Sequence, residues 1–280
     1  MHIPPASLLE RISRPEFEFN LRGWKEPAAA FFAPTPAHED ALAERRRWLA
    51  QNPERYRVYL PESADLVQEA ADFARTLDPA FTPGAGSDLP AQLKRLGEHW
   101  ECDLILCRKN PGGRMRMEAG VVCFPSAWAP EEKLGLPIFD VHAPVPGLNA
   151  AIGDKIDHLL ERLPPDSAWL RVNWGLSASP ERNQHPRRGL SRLTGATPIE
   201  SIWLRLEHQA LLRLPATGGL LFGIHLHNFS LKELRGKPVG LAVAGQLRSM
   251  PLEMQVYKGI QDVAQRVADW LDCSASQDTA

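Results

Sequence analysis

The chain has 280 residues, 44% of them hydrophobic and 24% charged, and its 32 basic and 34 acidic side chains leave a net charge of −2. That is enough chain for one large domain or two small ones around a full core. The balance gives no strong field toward nucleic acid or an acidic membrane, and no segment approaches the roughly 20 apolar residues of a membrane span. The start, "MHIPPASLLERISRPEFEF", has no basic stretch leading into an apolar block, so no signal peptide is expected. Cys102, Cys107, Cys123 and Cys273 form no CxxC pair, which gives a zinc site or redox dithiol no support. Together these features predict a cytoplasmic protein.

The first third reads as helical. Residues 38–51 carry Leu42, Trp48 and Leu49 and stop at Asn52-Pro53. Residues 63–77 put Leu66, Ala70, Phe73 and Leu77 on one stripe. Residues 88–100 open on Asp88 as a cap and Pro90 in the first turn. "CDLILCRK" and "RMRMEAGVVCFP" then flank "NPGG", a hairpin signal. A helix is expected over 149–163, capped by Asn149. Three strand-like runs follow at 169–177, 200–214 and 219–231, then a helix over 251–271 and a small polar tail expected to fray. "PGAGS" at 83–87 reads as a turn. The order predicts an α+β fold: a largely antiparallel sheet with flanking helices. It divides into an N-terminal helical extension (1–100), a core domain (101–272) and a flexible tail (273–280).

Alternate residues of a strand point to opposite faces. One face of 169–177 carries Arg171 and Asn173, and one face of 201–209 carries Trp203, Arg205, Glu207 and Gln209. In 221–229, Gly223, His225, His227 and Phe229 alternate with Phe222, Ile224 and Leu226. If these strands are neighbours, their polar faces are expected to merge into one patch of Arg, Glu, Gln, His and Asn. Gly223 leaves room there for something to approach. A wetted sheet face explains the same pattern without any ligand.

There is no GxSxG, HExxH, phosphate loop or EF-hand loop. His225 and His227 point the same way and suit a metal, given a third ligand. His142 lies in "GLPIFDVHAPVPGLN", between prolines that stiffen the backbone. A neutral imidazole so held suits either an axial haem ligand or a structural hydrogen bond, and pattern alone favours the second.

Several motifs occur in order: Phe124-Pro125-Ser126-Ala127-Trp128, Lys133-Leu134-Gly135, Val141-His142-Ala143-Pro144-Val145-Pro146, Arg171-Val172-Asn173-Trp174, and the run from Arg205 through Glu207 and Gln209 to Pro215. This series, spread over about residues 100–230, resembles the haem-dependent oxidative N-demethylase α-subunit family. The resemblance implies a PAS-like domain holding haem b. It also implies O2-dependent oxidation of a small secondary amine, dimethylamine, with electrons from separate flavin and iron–sulfur reductase subunits. By the same resemblance His142 is the expected iron ligand, with His225 or His227 as fallback and His208 behind them. Arg171 is expected to meet a haem propionate. Glu207 is expected to hold the protonated amine, and Arg205 or His225 to stabilise negative charge developing on O2. Ser126, Trp128 and Lys133 are loop or pocket-wall residues. Where relatives carry an Arg in an FxIRxY-like stretch, this chain has Phe222-Gly223-Ile224-His225-Leu226-His227, which by the resemblance puts His225 in that Arg's place. A haem-binding sensor or carrier without turnover is the alternative, because PAS-like folds serve both ends.

Overall fold

The computed structural model describes residues 4–82, 88–164 and 167–273. The "PGAGS" turn and all but the first residue of the expected tail lie outside them. Seven strands form one sheet: β1 (Trp24–Glu26), β2 (Arg57–Tyr59), β3 (Asp103–Lys109), β4 (Met115–Val121), β5 (Ala168–Ser177), β6 (Trp203–Leu214) and β7 (Gly219–Ser230). Their order is β1-β5-β6-β7-β3-β4-β2, with every neighbouring pair antiparallel. The helices are α1 (Pro5–Leu9), α2 (Ala28–Phe32), α3 (His38–Gln51), α4 (Pro53–Tyr56), α5 (Ala64–Leu77), α6 (Leu89–His99), α7 (Ile138–His142), α8 (Leu148–Glu161), α9 (Pro238–Ser249), α10 (Leu252–Tyr257) and α11 (Ala264–Asp272). The fold is α+β, as the order of predicted elements implied. The first hundred residues, expected to be helical, also supply both edge strands, β1 against β5 and β2 against β4.

Directly paired residues share a face of the sheet. Arg171 pairs with Gln209, Asn173 with Glu207, and Gly175 with Arg205, which defines a site face. Leu206 pairs with His227 and His208 with His225, which puts all three histidines on the opposite, core face. The expectation of one merged polar patch is therefore corrected. His225 and His227 point away from Arg205 and Glu207, because Leu214 pairs with Gly219 across the hairpin and that register fixes the phase of β7.

The core face is covered twice. Leu104, Leu106, Leu170, Leu212 and Leu221 pack against Leu49, Leu66, Leu93 and Leu96 from α3, α5 and α6. Leu204, Leu206 and Trp174 pack against Val243, Leu247, Val267 and Leu271 from α9 and α11. Each such side chain contributes about 1.5–3 kcal/mol by leaving water. On the site face, Leu159 and Leu160 of α8 cover Ile105, Cys107, Leu220 and Phe222. The apolar stripe of α8 thus shields the β3–β7 part of that face, and the polar residues of β5 and β6 lie beyond it.

Three local readings change. The helix expected over 251–271 is two, α10 and α11, parted at Gly259, whose φ of 64° interrupts the helical backbone. Asn149 does not cap α8. Gly147 stands at that position, and the Asn149 side chain donates to the Phe139 carbonyl, joining α8 to α7. Helix α9 went unread, although Pro238 in its first turn is a start signal.

The loop after β4 is held by a buried ion pair. Arg45 donates to Asp103 at 2.6 Å, and Asp103 also accepts from the backbone N–H groups of Cys123 and Phe124. Both side chains are essentially inaccessible to solvent. Asp103→Ala would leave a buried guanidinium without its counter-charge, so we expect a loss of about 3–5 kcal/mol in urea unfolding. The apolar double variant Arg45→Met/Asp103→Leu should lose less than that.

Candidate functional site

On the site face, the loop at Phe124-Pro125-Ser126 meets β6. Ala127 takes a left-handed φ of 60°, a conformation that costs a non-glycine residue about 1–3 kcal/mol. The turn it makes brings the Ser126 hydroxyl between two functional side chains. Arg205 Nε donates to Ser126 Oγ at 2.7 Å, and Ser126 Oγ donates to Glu207 Oε1 at 2.6 Å. Asn173 and Gln209 donate to Glu207 Oε2 at 3.2 and 2.8 Å. An ionised carboxylate offers about four acceptor positions, so one of them stays open.

Arg205 is buried and fully engaged. Nη1 donates to the Glu181 carbonyl, and Nη2 to the carbonyls of Phe124, Pro125 and Arg182. Burial pushes its guanidinium down to about 10, still protonated at neutral pH. Its expected role, stabilising charge on O2, does not match this geometry, because its donors are spent on fixing two loops. The expected Arg205–Glu207 contact is indirect, through Ser126.

Arg171 lies on the same face. The residue is half-buried, its buried Nε has no hydrogen-bond partner, and desolvation pushes its guanidinium down against the pull of Glu207. His142 ends α7. Its Nδ1 is buried without a partner, and burial followed by the nearby Arg171 charge lowers its pKa, so the ring is neutral at pH 7. Ile138, Phe139, Asn149, Gly153, Ile156 and Asp157 line the cleft around it. His142, Arg171 and Glu207 therefore form one electrostatically connected series, each within reach of the next.

The donor set fits a haem. It offers a neutral imidazole with an unpartnered buried nitrogen, a half-buried guanidinium whose Nε has no partner, and an apolar floor. Cysteine does not compete for the iron here. Burial holds the Cys107 and Cys123 thiols up at about 12, far from the thiolate form. As the structure stands, the cleft has no room for even a water-sized sphere, so a porphyrin could enter only if the elements around it parted. Helix α7 buries no residue, and it hangs between Gly135 and Gly147, with φ of 79° and 72°.

The core-face histidines have a different setting. Phe31 from α2 packs edge-on against both His208 and His225, and its carbonyl lies 2.9 Å from His225 Nε2. Trp24 stacks on His208. The room beside Gly223 is taken by Phe31: a Cβ added there would lie 2.6 Å from its ring. The expected approach of a ligand at Gly223 is thus an approach by the protein itself. Among the described residues, no group of three His, Cys, Asp or Glu side chains is arranged to hold a metal ion.

Sequence reasoning missed Lys258 and Tyr257, at the end of α10. The negative charge of Glu207 acts on both. No motif marks them, since only the break after α10 carries them to β5. Ser126 was assigned no more than a wall position, although it links Arg205 to Glu207.

The His208 ring is held neutral, its pKa pushed down to about 3 by burial and by the neighbouring His225 and His227. An unfolded histidine titrates near 6.5, so the unfolded chain takes up this proton first. The corresponding stability is complete above pH 6.5 and is lost as pH falls toward 3. Urea unfolding of His208→Gln, compared with the parent between pH 6 and 4.5, should show a pH slope shallower by up to about 1.4 kcal/mol per unit.

Residues 76–268 match the family model described as haem-dependent oxidative N-demethylase, alpha subunit-like. The match runs from the end of α5 into α11 and takes in the whole series from Ser126 through His142, Arg171 and Glu207 to Lys258. The chain belongs to the haem-dependent oxidative N-demethylase α-subunit-like family.

Proposed function

We propose that this protein binds haem b at His142 and carries out O2-dependent N-demethylation of a small secondary amine, drawing electrons from a separate flavin and iron–sulfur reductase. The observation that carries this reading is the buried, unpartnered His142 Nδ1 beside the unpartnered Arg171, within a chain of this family. Bound haem would supply O2 activation. The overall balance consumes the N-methylated secondary amine, O2, an electron pair and two protons, and releases the demethylated primary amine, formaldehyde and water.

The chain's own residues bind and orient. His142 would ligate the iron as a neutral imidazole, and Arg171 would meet a propionate. Glu207, held rigid by Ser126, Asn173 and Gln209, would receive the protonated amine at its open acceptor position through a charge-assisted hydrogen bond. We assign Arg205 as a positioning residue that acts through Ser126. His225 and His227 lie on the other face from Glu207, so we assign them neither the charge-stabilising role toward O2 nor the fallback ligation of iron. The antiparallel five-strand core with flanking helices supports a PAS-like reading of the domain.

Absorption spectra of the purified chain, before and after dithionite, test the cofactor. A Soret band that shifts on reduction is expected, and His142→Ala should lose it. Normal haem content in that variant would overturn the ligand assignment. With haem present, amine-dependent O2 uptake should fall at least tenfold in Glu207→Gln while the spectrum stays unchanged. Haem without any amine-dependent uptake would instead mark a sensor or carrier.

A further inference from the structure

We infer that the site takes a secondary amine bearing a carboxylate, an N-methyl amino acid, with Glu207 on its ammonium and Lys258 on its carboxylate. The inference rests on the reading of Glu207 as the amine anchor.

Strand β1 pairs with β5 only at residues 168–170, so the stretch of β5 around Trp174 is an open edge. Lys258, at the C-terminal end of α10, reaches this edge and donates to the Trp174 carbonyl at 3.2 Å. Among the described residues that carbonyl is the only hydrogen-bond partner of its ammonium, so two of its N–H groups remain available. The neighbours of Trp174 define the space beside it. Asn173 holds Glu207, and Gly175 faces open room: a Cβ added there would meet no atom within 4 Å.

Lys258 contacts Trp174 while the preceding residue, Asn173, holds Glu207, so the two charges lie near each other without forming an ion pair. Glu207 keeps an acceptor position, and Lys258 keeps donors. Burial weakens the Lys258 ammonium and Glu207 supports it, as expected for a cation drawn into the site and left without a bonded counter-charge. A bare dialkylammonium satisfies Glu207 but adds a further positive charge beside Lys258. A zwitterion answers both ends of the space, and its carboxylate meets the cation that the enzyme's own residues leave unmatched.

Isothermal titration calorimetry on the full chain, with haem content measured on the same preparation, tests this with N-methylglycine and dimethylamine. N-methylglycine should bind about tenfold tighter than dimethylamine, the gain of one charge-assisted contact. Lys258→Met should bring the two ligands to near parity, and Lys258→Arg should restore the preference. Gly175→Leu, which fills the space without touching either charge, should weaken both ligands and guards against a folding defect in the lysine variant. Equal affinities in the parent, or a preference that survives Lys258→Met, would overturn this inference alone and leave Glu207 as the amine anchor. Absence of binding by either amine would overturn both readings.

Discussion

The site depends on one buried cation. The Arg205 guanidinium ties β6 to the loop at 124–126 and to the segment at 181–182, and through Ser126 it sets the position of Glu207. A charge-assisted hydrogen bond in a desolvated setting contributes about 1.5–3 kcal/mol, and burying a guanidinium costs several kcal/mol unless its donors are matched. Arg205 meets that cost with four carbonyl oxygens from two segments, 124–125 and 181–182. On the far side of the same loop, Asp103 accepts the N–H groups of Cys123 and Phe124 while paired with Arg45. A strained Ala127 is tolerated because both sides of the loop are pinned.

That arrangement separates scaffold from function in an unexpected way. The residue that looks most suited to stabilising a developing negative charge has no donor to give. The groups with hydrogen-bonding capacity left over are elsewhere: Arg171 with an unpartnered Nε, Lys258 with one carbonyl, and the neutral His142 with a buried Nδ1. They come from β5, from the end of α10 and from α7. No short stretch of chain contains more than one of them, and the sheet is what assembles them. A rigid carboxylate at the centre and incompletely satisfied groups around it is the arrangement expected of a preorganised binding site.

The two faces of the sheet divide the labour. The core face buries its histidines against Phe31 and Trp24 and holds His208 neutral by desolvation. The site face is half covered by α8 and stays polar over β5 and β6. Helix α7, between two glycines of left-handed φ, has none of its residues fully buried and is tied to α8 through Asn149.

Much of this was legible from residues alone. The helices at 38–51 and 64–77, the Asp88 cap, the Asn-Pro-Gly-Gly hairpin and the five long strands follow from local periodicity and turn chemistry, which short stretches of chain determine by themselves. The motif series from Phe124 to Pro215 sufficed to identify the family. Alternation also told which residues of one strand share a face. It did not tell how the faces of β6 and β7 match, because a strand pattern has no phase relative to its neighbour. The four residues between Leu214 and Gly219 set that phase, and they sent His225 and His227 to the core. Tertiary structure alone decided that Arg205 is spent on loop carbonyls, that Phe31 fills the room at Gly223, and that Lys258 reaches the edge of β5. Each of these joins residues far apart in the chain, and such contacts leave no local trace in sequence.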